Sequence, residues 1–140
     1  MVIATADKAK ELCKRPVWVK SIDHRIESHQ PGLRNLAVST STRQAAEECG
    51  VGQDKIDVAE IYAPYTHQEL ILRDAIGLDN EVSINPSGGA LAAHPLMSAG
   101  LIRIGEVANR IMAGKADRGL AHATSGSCLQ QNLVTVLEGA

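Results

Sequence analysis

The chain has 140 residues, a formal net charge of −2 and 21% charged residues, which suits one domain and gives no electrostatic ground for a nucleic-acid or membrane-surface partner. Trp18, Tyr62 and Tyr65 are its only Trp or Tyr residues and Phe is absent, so the core must be aliphatic, and a base-stacking platform is disfavoured. Cys13, Cys49 and Cys128 are widely spaced without a C-x-x-C pair, which argues against a disulfide framework or zinc knuckle and for a reducing, cytoplasmic setting; there is no apolar run long enough for a membrane span and no secretory signal in MVIATADKAK.

In chain order, TADKAKELCK (5–14) predicts a helix, with Ala6, Ala9, Leu12 and Cys13 at helical spacing and Thr5 as its cap. PVWVKSI (16–22) predicts a strand with Val17, Val19 and Ser21 on one face. Residues 23–37 read as a long polar loop; Asp23, His24 and His29 can be sketched there as metal ligands, but no ligand geometry supports them and no metal is expected. STSTRQAAEECGV (39–51) predicts a capped helix ending at Gly50. DKIDVAEIYAP (54–64) predicts a buried strand from Ile56 to Tyr62, and THQELILRDAIGL (66–78) a helix capped by Thr66 and closed by Gly77. EVSI (81–84) is a short extended piece. PLMSAGLIRIGEVANRIMAGK (95–115) predicts the longest helix, with Leu101, Ile104, Val107, Ala108 and Ile111 as its apolar stripe. RGLAHATS (118–125) and LQQNLVTVLEG (129–139) predict two closing strands, antiparallel neighbours because so few residues separate them.

This order predicts an α/β fold, a mixed β-sheet with helices packed on its faces. The opening VIAT is extended-looking and runs directly into a helix, which reads as a chain beginning in the middle of something larger.

The densest chemistry lies in NPSGGALAAHPLMSAG (85–100). Pro95 suits the first position of a helix, which puts His94 at or beside the N-cap. A helix N-terminus disfavours added positive charge, so the imidazole there is expected to stay neutral and to have one N–H to donate to a developing oxyanion. Gly88 and Gly89 allow a tight turn and close approach of a ligand. The same histidine also reads as a hydrogen-bonded cap residue with no chemical role. Neither His122, within AHATS, nor His67, at a helix start, demands more than a core or solvent-exposed reading.

NPSGGALAAHPLMSAG resembles the Asn-x-x-Gly-Gly…Gly-His-Pro-x-Gly-x-x-Gly motif of the thiolase superfamily. KIDVAEIYAPYTHQELILRDAIGL and ADRGLAHATSGSCLQQNLVTVLEG are similar to that superfamily's strand-and-helix segment and to its closing hairpin. The resemblance spans nearly the whole chain. It implies the C-terminal half of a thiolase-like subunit, with residues 1–13 the tail of an N-terminal half and residues 14–140 the C-terminal domain.

Carried over residue by residue, the resemblance makes His94 the Gly-His-Pro histidine, with Ala93 in place of the glycine, and gives it an oxyanion-stabilising role. It makes Asn85, Gly88 and Gly89 the backbone-shaping, substrate-facing part, and Gly126 a glycine whose N–H can serve an oxyanion hole. Tyr62 stands where the family has Asn or His, and Thr124 where it has an acid–base cysteine; Cys128 is not given that role. The acylated cysteine of the family belongs to the N-terminal half. Tyr62, the shortened Gly-Gly…Pro stretch and the late Ala-His-Ala look most like the lipid-transfer-protein-like (sterol carrier protein-type) branch, where a phenol can act as acid or base; Tyr62 reads equally as a core residue with a bonded hydroxyl.

The implied function is acyl transfer, or thiolytic or retro-aldol C–C cleavage, at a lipid acyl-CoA. Coenzyme A thioester is then substrate, with no cofactor. The implied partners are the N-terminal half, without which the chain is expected to be inactive, an OB-fold protein and further copies of the complete subunit. The alternative is a non-catalytic lipid or acyl-CoA binding or scaffolding module with a degenerate site.

Overall fold

Strands that bury consecutive residues need cover on both faces, and the computed structural model, which describes all 140 residues, supplies it with helices. Five strands form one sheet in the order β1-β5-β4-β2-β3. β1 (Val17–Ile26) runs antiparallel to β5 (Gln131–Gly139), and β5 antiparallel to β4 (Arg118–Ser125). β2 (Val58–Glu60) lies parallel to both β4 and β3 (Ser83–Ile84). The sheet is therefore mixed, as the order of elements predicts.

Helices α2 (Thr40–Glu48) and α3 (Thr66–Ile76) cover one face, and α5 (Ala99–Met112) the other. The two-residue period of a strand sorts the core between them. In β4, Leu120 joins Ala45, Leu72, Ile76 and Val134 under α2 and α3, while Ala121 joins Val107, Ile111 and Leu137 under α5. Helix α3 links β2 to β3 on one face, and α5 links β3 to β4 across the other, so the paths diverge around β2. The carboxyl ends of β2, β3 and β4 consequently share one edge of the sheet, the edge at which open α/β sheets place ligands.

Several boundaries differ from the sequence expectation, each for a local reason. β1 continues to Ile26 and takes in the first residues of the expected loop; Arg25 pairs with Asp23 and Glu48 while His24 and Ile26 face solvent, an alternation that an edge strand tolerates. Of the strand expected over 56–62, only Val58–Glu60 forms a ladder, flanked by buried Ile56, Ile61 and Tyr62. The long helix starts at Ala99 rather than Pro95. Pro95 opens a turn closed by the Ser98 N–H on its carbonyl at 2.9 Å, and the helix begins where Gly100 lies so close to Ala123 that a Cβ would come within 2.9 Å. A one-turn helix α4 (Gly89–Ala92) precedes it. The buried stripe of α5 is Ala99, Arg103, Val107 and Ile111, with Leu101 60% exposed on another face. Helix α1 (Ala6–Leu12) forms but buries none of its residues.

Helices α2 and α3 do end at Gly50 and Gly77, the latter in the left-handed conformation with φ 77°. Their starts are not capped as expected, for neither Ser39 nor Thr66 makes a side-chain cap. Instead, Glu27 Oε1 accepts the Ser41 N–H at 2.9 Å and its hydroxyl at 2.8 Å, a carboxylate at the positive end of a helix. Burial pushes the Glu27 carboxyl up, but hydrogen bonds from Ser41 and Arg34 outweigh it and hold the group below the usual carboxylate range.

The same helix end anchors a buried polar chain. Asn132 Nδ2 donates to Ser41 Oγ and to the Leu129 carbonyl, both at 2.8 Å. Its Oδ1 can only accept, so the His122 Nε2 at 3.0 Å carries the ring proton. Burial drives the His122 pKa down to about 4, against a smaller opposing effect of the Asn132 bond.

Two expectations follow. A Cβ at Gly119 would meet Val107 Cγ1 at 2.5 Å and Val58 Cγ1 at 2.8 Å, so Gly119→Ala should lower the unfolding free energy by about 1–3 kcal/mol in urea denaturation. Between pH 6.5 and about 4 the unfolded chain binds a proton at His122 that the folded chain refuses. Stability from this group is thus complete above pH 6.5 and falls by roughly 3 kcal/mol as the pH drops to 4; in His122→Gln, denaturation midpoints across that range should show a much shallower slope.

Candidate active site at the carboxyl ends of the parallel strands

β2 ends at Glu60, and the chain passes through buried Ile61 to Tyr62. The loop after β3 is stitched to this segment by Asn85. Its N–H donates to the Ala59 carbonyl at 2.8 Å, its Oδ1 accepts the Ile61 N–H at 2.8 Å, and its Nδ2 donates to Glu69 Oε2 at 2.9 Å. Asn85 takes a left-handed φ of 47°, Gly89 one of 61°, and a Cβ on Gly89 would lie 3.0 Å from Asn85 Cγ. The loop therefore closes tightly there, and a side chain at Gly89 would be both crowded and strained. At Gly88 a Cβ would come within 2.7 Å of the Ala92 methyl. Asn85, Gly88 and Gly89 thus shape the backbone that leads into α4, whose Ala90 packs with Tyr62 and Ala99.

His94 follows α4, four positions before the Ser98 N-cap of α5. The expectation of a histidine at a helix mouth is corrected, and with it the helix-dipole argument for neutrality. What holds the ring is Tyr62. The phenol Oη lies 3.0 Å from Nδ1 and 3.2 Å from Nε2, with ring centroids 5.3 Å apart. It can donate to whichever nitrogen has the lone pair or accept from the one with the proton. Tyr62 is buried, whereas His94 is open to solvent. Burial, reinforced by nearby Tyr65, raises the phenol pKa above its ordinary value of 10.0, so the hydroxyl keeps its proton at neutral pH. Chemically the pair is a buried weak acid in contact with an accessible imidazole.

Beneath this pair lies an ion pair that the sequence reading missed. Arg103 Nη1 donates to Glu60 Oε2 at 2.9 Å, and the two side chains are 4% and 0% exposed. The remaining capacity of the carboxylate is taken by Ser87, whose N–H reaches Oε1 at 3.0 Å and whose hydroxyl reaches Oε2 at 2.7 Å. A signal was present: Glu60 interrupts an otherwise apolar strand, and Arg103 sits four residues from both Ala99 and Val107. Charges at core-facing positions of two elements find each other.

Gly126 follows β4 at the same edge, with φ 76°. Its turn is held by Arg34, which donates to the Ser127 and Cys128 carbonyls at 3.2 and 3.0 Å, and Thr124 Oγ1 donates to the Gln131 carbonyl at 2.9 Å. Tyr62 and His94 are in direct contact and Asn85, Gly88 and Gly89 form the loop that carries His94. Gly126 occupies the adjoining strand end and makes no hydrogen bond to either ring. His122 points to the opposite face of the sheet, and His67 is exposed and stacks on Tyr65. No group of three His, Cys, Asp or Glu side chains is disposed to hold a metal ion, and no helix is long and apolar enough to cross a membrane.

Known proteins resemble this chain in sequence. The chain is 28% identical over 102 residues to an acetyl-CoA acetyltransferase of Syntrophomonas wolfei, covering 71% of this chain and 26% of that protein. It is 25% identical over 122 residues to an acetyl-CoA acetyltransferase of Pseudomonas aeruginosa, 86% of this chain and 30% of that protein. A beta-ketoadipyl-CoA thiolase of Acinetobacter baylyi is 26% identical over 101 residues, 71% of this chain and 25% of its own length. The chain thus spans between a quarter and a third of the length of these relatives. The family described as "Thiolase, C-terminal domain" matches residues 17–137, which takes in β1 to β4, most of β5 and both Tyr62 and His94: the chain belongs to the thiolase C-terminal domain family.

Proposed function

We propose that this domain supplies the acid–base and oxyanion part of a thiolase-type site acting on an acyl-CoA thioester. The observation that carries the reading is the Tyr62–His94 contact at the carboxyl ends of parallel strands. When the Cα–Cβ bond of a β-keto or β-hydroxy acyl thioester breaks, its electron pair moves onto the thioester as an enolate; the acyl group of a β-keto substrate passes to a thiolate supplied by the N-terminal half, whereas a β-hydroxyl releases its proton to water as Cβ becomes a carbonyl carbon. His94 has a ring N–H to offer that oxygen, and the Gly126 N–H is the second donor in this reading. The α-carbon must then take a proton. The Tyr62 phenol holds one at neutral pH and recovers it through His94. Asn85, Gly88 and Gly89 shape the wall against which the thioester lies.

The names of the relatives, acetyl-CoA acetyltransferases and a beta-ketoadipyl-CoA thiolase, support thioester chemistry. None of the three cysteines of this chain is hydrogen-bonded to His94, and Cys49 donates to the Val134 carbonyl. We therefore assign any nucleophilic thiol to an N-terminal thiolase half, corresponding to the part of the relatives that lies outside the match. Tyr62 in place of Asn or His favours the sterol carrier-type branch, with retro-aldol cleavage of a lipid acyl-CoA as the reaction. The lack of a cysteine beside His94 equally supports the second reading, a binding or scaffolding module.

The two readings part in one experiment, in which the chain is combined with an N-terminal thiolase half and offered acyl-CoA substrates. For the enzyme, His94→Ala should lower kcat by about 10²–10³-fold, and Tyr62→Phe, which keeps the buried ring, by about 10²–10⁴-fold. Acyl-CoA binding without turnover, unchanged by His94→Ala, would establish the module instead.

A further inference from the structure

We propose that Glu60, Arg103 and Ser87 form a positioning clamp that sets the Tyr62–His94 contact, so that this ion pair acts on the reaction and not only on the fold. The proposal rests on the reading of Tyr62 and His94 as the acid–base pair.

A carboxylate and a guanidinium both withdrawn from water carry a desolvation penalty, and apolar residues of similar volume often serve stability as well or better. What an apolar pair cannot do is accept two directional hydrogen bonds from a loop. Glu60 accepts the Ser87 N–H and hydroxyl at 3.0 and 2.7 Å while receiving Arg103 at 2.9 Å. Arg103 Nη1 also reaches Ser87 Oγ at 3.3 Å. One carboxylate thereby joins β2, the 85–89 loop and α5.

Each joined element carries something that touches the pair. Glu60 ends β2, two residues before Tyr62. Ser87 lies three residues before Ala90, and Arg103 one turn after Ala99; Ala90 and Ala99 are the residues packed on Tyr62. His94 sits midway along the connection between these two anchors. That connection has little packing of its own, with Leu96 72% and Met97 100% exposed. The position of the imidazole is therefore inherited from the two ends that the clamp holds.

Glu60→Ala would leave Arg103 buried without its carboxylate and can unfold the domain, so the informative variants are Ser87→Ala and Ser87→Thr. In the 140-residue chain, NMR would follow the nuclear Overhauser contact between the Tyr62 ring and the His94 Hε1 proton. Ser87→Ala should reduce that contact several-fold while the domain stays folded, and Ser87→Thr, which restores the hydroxyl, should recover it. An unchanged contact in Ser87→Ala, or no recovery in Ser87→Thr, overturns the clamp. In the assembly with an N-terminal thiolase half, Ser87→Ala should lower kcat about tenfold with KM nearly unchanged, the pattern of a misplaced catalytic group. A lost contact with unaltered kcat overturns the link to the reaction. Absence of turnover in the parent assembly overturns the acid–base reading of Tyr62 and His94, and the link to the reaction with it, while the NMR comparison still decides whether the clamp holds the contact.

Discussion

A carboxylate sealed from water must fill its lone pairs from protein donors, and at Glu60 this requirement organises the site. The residue sits at the last rung of β2, with its side chain fully buried. Only a charged donor and two hydrogen-bond donors at the right angles can satisfy it, and the fold brings them from separate elements, Arg103 of α5 and Ser87 of the loop after β3. The path of the chain around β2 is what makes this meeting possible. Helix α5 crosses back over the sheet to reach β4, and in doing so lays its first turns over the end of β2.

Two polar systems are kept apart by the alternation of the strands. Leu120 and His122 point toward α2, where Asn132 and Ser41 await the imidazole. Glu60 and Tyr62 point toward α5. The sheet lies between His122, which is committed to the core under α2, and the α5 side, where the loop-borne His94 meets Tyr62 and stays open to solvent.

Much of the architecture was legible because it rests on local, periodic signals. The strand–helix alternation, the closing hairpin and the glycine ends of α2 and α3 each follow from spacing that a reader of the chain can measure. The start of α5 was not legible, because Pro95 fits a first helical turn as well as it fits the turn it makes; contact between Gly100 and Ala123 decides the matter, and that contact is remote in sequence. The extension of β1 through Asp23–Ile26 was hidden for a similar reason. Its charged residues look like a loop until Glu48 of α2 is placed beside Arg25. For the site, the segment around His94 announced itself by its glycines and prolines, and Tyr62 by its place in a family pattern. Their contact spans 32 positions, and the ion pair below them 43. No periodicity within either segment encodes such distances, although a lone acid in β2 and a lone base in the buried stripe of α5 were visible as two anomalies that explain each other.

The unequal exposure of Tyr62 and His94 has a kinetic meaning. The imidazole is exposed to water, whereas the phenol in contact with it is buried. On the proposed acid–base reading the pair would be loaded and unloaded from one side, with imidazole as the gate and tyrosine as the store. On that reading a proton delivered from the store would be replaced from the open side of the ring.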